Sequence, residues 1–349
     1  MLEILKTEDG NVMKYIHDDG SETAIKLSKS HQDIFNPLTK KMEHHTSERN
    51  KYSIFISSSV GCFMKCKFCH LTLKESKFLK LNGNEILANL KEAIEDAVLQ
   101  NPNIKDRFVK LSWMGMGDAL NKSDIVKDIT IKLLDWIFEN NYAAGLDGVD
   151  LSSVLPDVND DWISDFQELE TLLAKYDINP VYNMDNIEYT NGFYSHRNKF
   201  RLFYSIGSAI QENRDIVIPN AMKLKKAKEK LTKYMENDKY TVIFHHLLVE
   251  GLNDSEEELE ELKGLMQQFN NCELRILRYN SCLKGDLKES ETIIKQVKDL
   301  SESINFLKVQ VSPGKEVQAA CGQFIVKDFI KNLKFNSSKR IIIHENSKN

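Results

Sequence analysis

The 349-residue chain predicts an α/β fold: a partial (β/α)6 barrel of the TIM-like kind behind a short N-terminal β-hairpin. Three observations lead there. Short β-branched or aromatic runs recur at 52–58, 108–113, 148–153, 201–206, 241–248 and 273–279. Amphipathic helical patterns lie between them, near 84–99, 123–139, 160–175, 222–236 and 255–269, with another at 289–304. Strands that alternate with helices pair in parallel through crossovers. Six such units are too few for a closed eight-stranded barrel, so a partial, open barrel fits best and an open sheet is the alternative. In either architecture ligands gather at the C-terminal strand ends.

In chain order, residues 11–27 read as a β-hairpin, two apolar-alternating runs around Asp18-Asp19-Gly20. Residues 28–51 are polar, contain Pro37 and show no period, which predicts a loop or linker. Asn253-Asp254-Ser255 ahead of Glu256 is a helix start. The expected organisation is hairpin and linker over 1–51, barrel core over 52–325, and a basic tail over 326–349.

Hydrophobic content of 41% with 28% charged residues is that of an ordinary globular chain. No apolar run reaches the roughly 18 residues of a membrane span, and the N-terminus lacks a signal-peptide core, so the expectation is a cytoplasmic protein with no membrane partner. Six cysteines do not make a disulfide framework in a chain of this length. A net charge of −5 argues against the whole chain acting as an electrostatic nucleic-acid binder. Lysines nevertheless cluster at Lys65, Lys67, Lys74, Lys77 and Lys80, again from Lys223 to Lys233, and in the tail. Such clusters are either solvated helix faces or, on a shared face, a phosphate track.

Cys62, Cys66 and Cys69 form a C-x3-C-x2-C triplet just after the first predicted barrel strand. Three thiolates so close can hold three irons of a four-iron cluster and leave the fourth open to a ligand that is not protein. A zinc knuckle or a structural cluster wants a fourth protein ligand nearby, and the next cysteine is Cys272. His70 adjoins Cys69 too closely to ligate comfortably and is read as a neighbour.

C-x3-C-x-Phe-C after a first strand is the signature of radical S-adenosylmethionine (SAM) enzymes, and the surrounding text resembles the RlmN/Cfr adenosine methyltransferases of RNA. The segments that carry the resemblance follow in order: Ser21-Glu22-Thr23, Ile56–Cys69 (ISSSVGCFMKCKFC), Met114–Leu120 (MGMGDAL), Ser205 with Glu212-Asn213-Arg214-Asp215 and Pro219, Val249–Ser255 (VEGLNDS), Arg278-Tyr279-Asn280, and Ala319–Gln323 (AACGQ). They span roughly residues 8–325. The resemblance implies the radical SAM form of the partial barrel, a 4Fe-4S cluster on Cys62, Cys66 and Cys69, and SAM bound to the open iron. In that family a first SAM methylates a cysteine of the AACGQ segment, here Cys321. A radical from a second SAM takes hydrogen from that methyl, and the resulting carbon radical adds to an aromatic ring carbon that ordinary methyl transfer cannot reach. The resemblance makes Glu22 the proton-abstracting carboxylate, with a solvated hairpin glutamate as the other reading. Gly115, Met116, Gly117 and Asp118 match the loop that meets the methionine end of SAM, while Ser152, Ser205 and Asn280 match other SAM-contacting positions. The implied partners are ribosomal or transfer RNA and an electron donor such as flavodoxin or ferredoxin.

Some positions depart from the family. Its mechanism uses a second thiol seven residues before the first cluster cysteine, and that position is Phe55. Cys272 or Cys282 could substitute for it. The family's Glu-Pro in the SAM loop is Asp118-Ala119, its Ser-Thr-Ser-Gly is Asp150-Leu151-Ser152-Ser153, and most of its N-terminal helical domain is missing. Segments 28–51 and roughly 177–199 are longer than in the relatives. These departures keep two other readings open: a radical SAM enzyme with a small-molecule, nucleotide or peptide substrate, and a non-catalytic cluster-bearing binding protein.

Overall fold

The structure, a computed structural model, describes residues 3–36, 41–158, 161–176, 199–236, 240, 242–269, 272–280, 287–310, 314–319, 323–324 and 341–343. Along the chain the elements are β1 (Glu3–Lys6), β2 (Val12–Ile16), β3 (Glu22–Asn36), β4 (Lys41–Phe55), β5 (Ser59–Val60), α1 (His70–Leu73), β6 (Leu79–Lys80), α2 (Gly83–Gln100) and β7 (Phe108–Trp113). They continue with α3 (Ser123–Glu139), β8 (Gly145–Ser153), α4 (Trp162–Leu172), β9 (Phe200–Ser205), α5 (Gln211–Val217), α6 (Leu224–Met235), β10 (Val242–Leu247), α7 (Glu256–Gln268), β11 (Glu273–Leu277), α8 (Ile293–Ser303), β12 (Leu307–Gln310) and β13 (Ile341–Ile343).

The main sheet runs β12-β11-β10-β9-β8-β7-β4-β3-β2-β1-β13. From β4 to β12 every neighbouring pair is parallel, and the pairs from β3 to β13 are antiparallel. Among the described residues the sheet does not close by hydrogen bonds. It curls until β12 comes within 8 Å (Cα–Cα) of β3, the strand just past β4. Because β3 runs antiparallel to β4, the N-terminal end of β3 lies at the C-terminal end of the parallel strands, with Ala24 opposite Phe55.

Strand periodicity explains both faces of the sheet. Leu111, Val149, Leu202, Phe244 and Ile276 are fully buried and belong to the main core. The alternate positions are polar and also buried: Ser112, Asp150, Arg201, His245 and Glu273. Buried charges persist only when paired. Asp150 accordingly takes Arg201 Nε at 2.5 Å and Lys110 Nζ at 2.7 Å. Burial alone would raise the Glu273 carboxyl, but Arg275 and Lys308 outweigh it and hold it down to about 2.

The predicted strands and helices are present, and α3 has the predicted limits. Three features differ from the sequence reading. Most of 28–51 is strand, not loop, because β3 and β4 pair across Asn36↔Lys41; alternation is hard to see in so polar a stretch. A seventh parallel strand, β12, follows α8, too short at four residues to stand out. The basic tail contributes β13 to the hairpin side of the sheet. The aromatic segment 177–198 lies outside the described residues. No described helix is long and apolar enough to cross a membrane.

Candidate active site

The cysteine loop leaves β4 at the C-terminal end of the parallel strands. Lys65 takes a left-handed conformation (φ 54°), and the Cys69 amide donates to the Cys66 carbonyl at 3.0 Å, folding the loop back on itself. Two contacts pin it to α5 and the turn beyond: the Lys67 amide to the Val217 carbonyl (2.9 Å) and Asn220 Nδ2 to the Phe63 carbonyl (2.5 Å). Met64, Val154, Val217 and Ile218 form a small core against which Cys62 and Cys66 pack. Burial pushes the Cys62 thiol up to about 12, although the Met64 and Gly117 amides pull the other way; burial and the other two cysteines push Cys66 well above its ordinary value. His70 is buried as the first residue of α1.

The glycine loop follows β7, the neighbour of β4. The Gly115 amide donates to the Ile56 carbonyl (2.9 Å), the Met116 amide to Ser57 Oγ (3.1 Å), and the Ser58 amide to the Met116 carbonyl (2.9 Å). A Cβ on Gly115 would stand 2.6 Å from the Ile56 carbonyl oxygen, so only glycine permits this approach. Gly117 needs a positive φ of +90°, and its Cβ would meet the hydroxyls of Ser58 and Ser59. The two loops are thereby stitched side by side.

Asp118 is bonded within the fold. Its carboxylate accepts from Ser153 Oγ at 2.8 and 2.9 Å, from the Val154 amide at 2.9 Å and from the Leu120 amide at 3.1 Å. It therefore fastens the β7 loop to the end of β8. Burial raises its carboxyl to about 6 against these donors. Ser152 is the next-to-last residue of β8 and Ser205 ends β9, with their hydroxyls 3.3 Å apart, and Asn280 is buried three residues beyond β11. Arg214 is buried beneath them and donates to the Ile206 and Val154 (2.8 Å) carbonyls, a fastening role that its place in the sequence did not reveal.

Glu22 is not a solvated hairpin residue. It is 4% exposed, and its Oε2 is 2.5 Å from Lys14 Nζ. Its backbone carbonyl accepts from Ser57 Oγ at 2.5 Å, which ties the hairpin to the start of the cysteine loop. Phe55 packs against Val12, Ile16, Ala24, Val317 and Ala319. Cys321 and Cys282 lie outside the described residues. Residues on both sides of Cys321 are placed: Lys14 Nζ donates to the Gln318 carbonyl (2.5 Å) and the Gln323 carbonyl (3.4 Å), and Lys26 Nζ to the Ala319 carbonyl (2.6 Å). Cys272 sits at the N-terminal end of β11, opposite the site, 2% exposed with its thiol 3.8 Å from Met235 Sδ. A thiol so placed cannot stand in for one at position 55.

Cys62, Cys66 and Cys69 are the thiols that would hold the implied cluster. Among the described residues no three His, Cys, Asp or Glu side chains converge closely enough to hold one metal ion. The apolar collar penalises bare thiolates, a cost that a cationic centre would offset.

No family profile matches the chain. Curated proteins named "Probable dual-specificity RNA methyltransferase RlmN" do. That of Flavobacterium johnsoniae is 24% identical over 278 residues, 78% of this chain and 68% of its own length. That of Dictyoglomus thermophilum is 26% identical over 290 residues, 79% and 70% respectively. The crystal structure of a radical SAM methyltransferase from Sphaerobacter thermophilus superposes with a TM-score of 0.63 at 17% identity, covering 93% of this chain and 80% of the other.

Proposed function

We propose that this chain, RlmN/Cfr-like in sequence and sharing the fold of a radical SAM methyltransferase, cleaves SAM reductively at a 4Fe-4S cluster and methylates an adenine carbon of ribosomal or transfer RNA through Cys321. One observation supports this most. The C-terminal ends of β4, β7, β8 and β9, adjacent in the sheet, carry in turn the cysteine triplet, the Gly115–Gly117 loop, Ser152 and Ser205.

Cluster and SAM together would supply one-electron chemistry that no side chain can provide. Cys62, Cys66 and Cys69 would hold the cluster, with the Gly117 amide directed at the Cys62 sulfur. The Gly115–Gly117 loop, packed beside the cysteine loop, would meet the amino-acid head group. Ser152, Ser205 and Asn280 offer hydroxyl and amide partners to a nucleoside. Glu22, buried beside Lys14, is the carboxylate available to take the proton the ring carbon loses. Phe55, Val317 and Ala319 form an apolar wall that excludes water near it.

Phe55 favours a second reading. A phenyl ring cannot attack a thioether-linked adduct, which suits a radical SAM enzyme whose substrate is a small molecule, nucleotide or peptide. Anaerobic reconstitution with iron and sulfide, then reduction in the presence of SAM, tests what the two readings share: 5′-deoxyadenosine should form, and Cys66→Ala should abolish it. No 5′-deoxyadenosine from the wild type would refute both and favour a cluster-bearing binding protein. Labelled methyl entering RNA separates the first reading from the second.

A further inference from the structure

Lys14 and Lys26 are buried lysines on the two strands of the N-terminal hairpin, 2% and 5% exposed. Each interrupts an otherwise apolar stretch, and neither has a place in the roles assigned above. Lys14 Nζ meets Glu22 Oε2 at 2.5 Å, the Gln318 carbonyl at 2.5 Å and the Gln323 carbonyl at 3.4 Å. An ammonium has three N–H donors, and these three oxygens surround it within 3.4 Å. Lys26 Nζ donates to the Ala319 carbonyl at 2.6 Å and stands over the Phe55 ring at 4.4 Å. In sequence the bound carbonyls are separated from the lysines by about three hundred residues, and they flank Cys321 on both sides. Gly314 has φ +91°, and a Cβ there would stand 3.0 Å from Val12, while Val317 and Ala319 share an apolar cluster with Leu5, Val12 and Ile16.

We infer that Lys14 and Lys26 are positioning residues: a two-ammonium clamp that holds Gln318, Ala319 and Gln323 to the hairpin, with Lys14 joining Gln318 and Gln323 to Glu22 through one side chain. A buried charge without its partners is costly, so the Gln318 and Gln323 carbonyls and the Glu22 carboxylate are held to the same nitrogen. Fixing the acceptor carboxylate and both flanks of the methyl-carrying thiol from one hairpin makes their relative position independent of the C-terminal tail. The assignment of that purpose rests on the function proposed above; the clamp does not.

The experiment compares the wild type with Lys14→Met, Lys14→Arg and Lys26→Met, each checked for a native near-ultraviolet spectrum. First, peptide-level mass spectrometry follows alkylation of Cys321 by N-ethylmaleimide, with Cys272 as internal reference. Lys14→Met should speed Cys321 alkylation at least tenfold with Cys272 unchanged, and Lys14→Arg should restore much of the protection. Lys26→Met should give a smaller increase and serves alone if Lys14→Met does not fold. Equal Cys321 rates in the wild type and the methionine variants overturn the clamp. Second, in reconstituted protein, methylation of Cys321 should fall at least tenfold further than SAM cleavage; equal losses would make the lysines general scaffolding and overturn the positioning role. A wild type that cleaves no SAM refutes the proposed function, and the alkylation rates then judge the clamp by themselves.

Discussion

Lys26 Nζ lies 4.4 Å from the ring centre of Phe55, so the position that aligns with the family's second thiol holds an aromatic ring capped by a buried ammonium. The ring also contacts the wall that carries Ala319. If methyl transfer proceeds through Cys321, the wild type should accumulate a covalent protein–RNA adduct on incubation with RNA, SAM and reductant. Phe55→Cys should reduce that adduct on denaturing gels and release methylated RNA, at a stability cost of about 2 kcal/mol for the lost ring. Free turnover by the wild type with no trapped adduct would show that release uses another group.

Asp118 and Ser153 make the tightest link between the glycine loop and β8. Asp118→Ala would leave the Ser153 hydroxyl and the Val154 and Leu120 amides without that acceptor in a buried site. The expected loss is about 2–4 kcal/mol by urea unfolding, with weaker SAM binding as a consequence of the displaced loop. Ser153→Ala removes one donor and should cost about 1 kcal/mol. A stable Asp118→Ala protein that has lost only SAM binding would instead place Asp118 on the ligand.

Gly117→Ala combines a left-handed backbone with crowding against Ser58 and Ser59. It should lower stability by roughly 1–3 kcal/mol and weaken both cluster retention and SAM binding, because the loop also directs an amide at Cys62. Iron content after reconstitution and calorimetric titration with SAM check this. Gly251→Ala, which has open space around it but also a positive φ of +68°, is the control for backbone strain alone.

Acid should weaken the fold through two buried histidines, while Asp118, raised to about 6, takes up a proton in the same window and offsets part of that loss. Burial lowers His17 and His246 from 6.5 to about 4. On unfolding both rings return to ordinary values, so between about pH 6.5 and 4 the unfolded chain binds more protons than the folded one. Stability therefore falls as pH falls through that window, by on the order of a few kcal/mol in total. Urea midpoints between pH 7 and 4.5 should fall less steeply in His246→Leu than in the wild type; equal slopes would contradict the burial of that ring.

The features visible in the sequence were local ones. The 3.6-residue period fixed α3, the β-branched runs marked β7 to β11, and the cysteine spacing marked the centre of the site. Features made by distant contacts were not visible. Lys14 and Lys26 look like surface lysines until the chain returns at 318–323 to supply their acceptors. The bond between Asp118 and Ser153 exists only because β8 brings the two residues together. The inward charges Asp150, Arg201 and Glu273 alternate with apolar residues as a solvent-facing strand would, and only curling of the sheet makes that face an interior. Polar β3 and β4 lack the apolar rhythm that would have announced their pairing beyond the hairpin.

The most direct test of the central claim is the mass of the peptide containing Cys321, isolated from reconstituted, reduced protein after incubation with SAM. A single added methyl group on the Cys321 sulfur is the predicted result. An unmodified Cys321 in protein that demonstrably forms 5′-deoxyadenosine would contradict methyl transfer through this residue and leave a radical SAM enzyme with different chemistry.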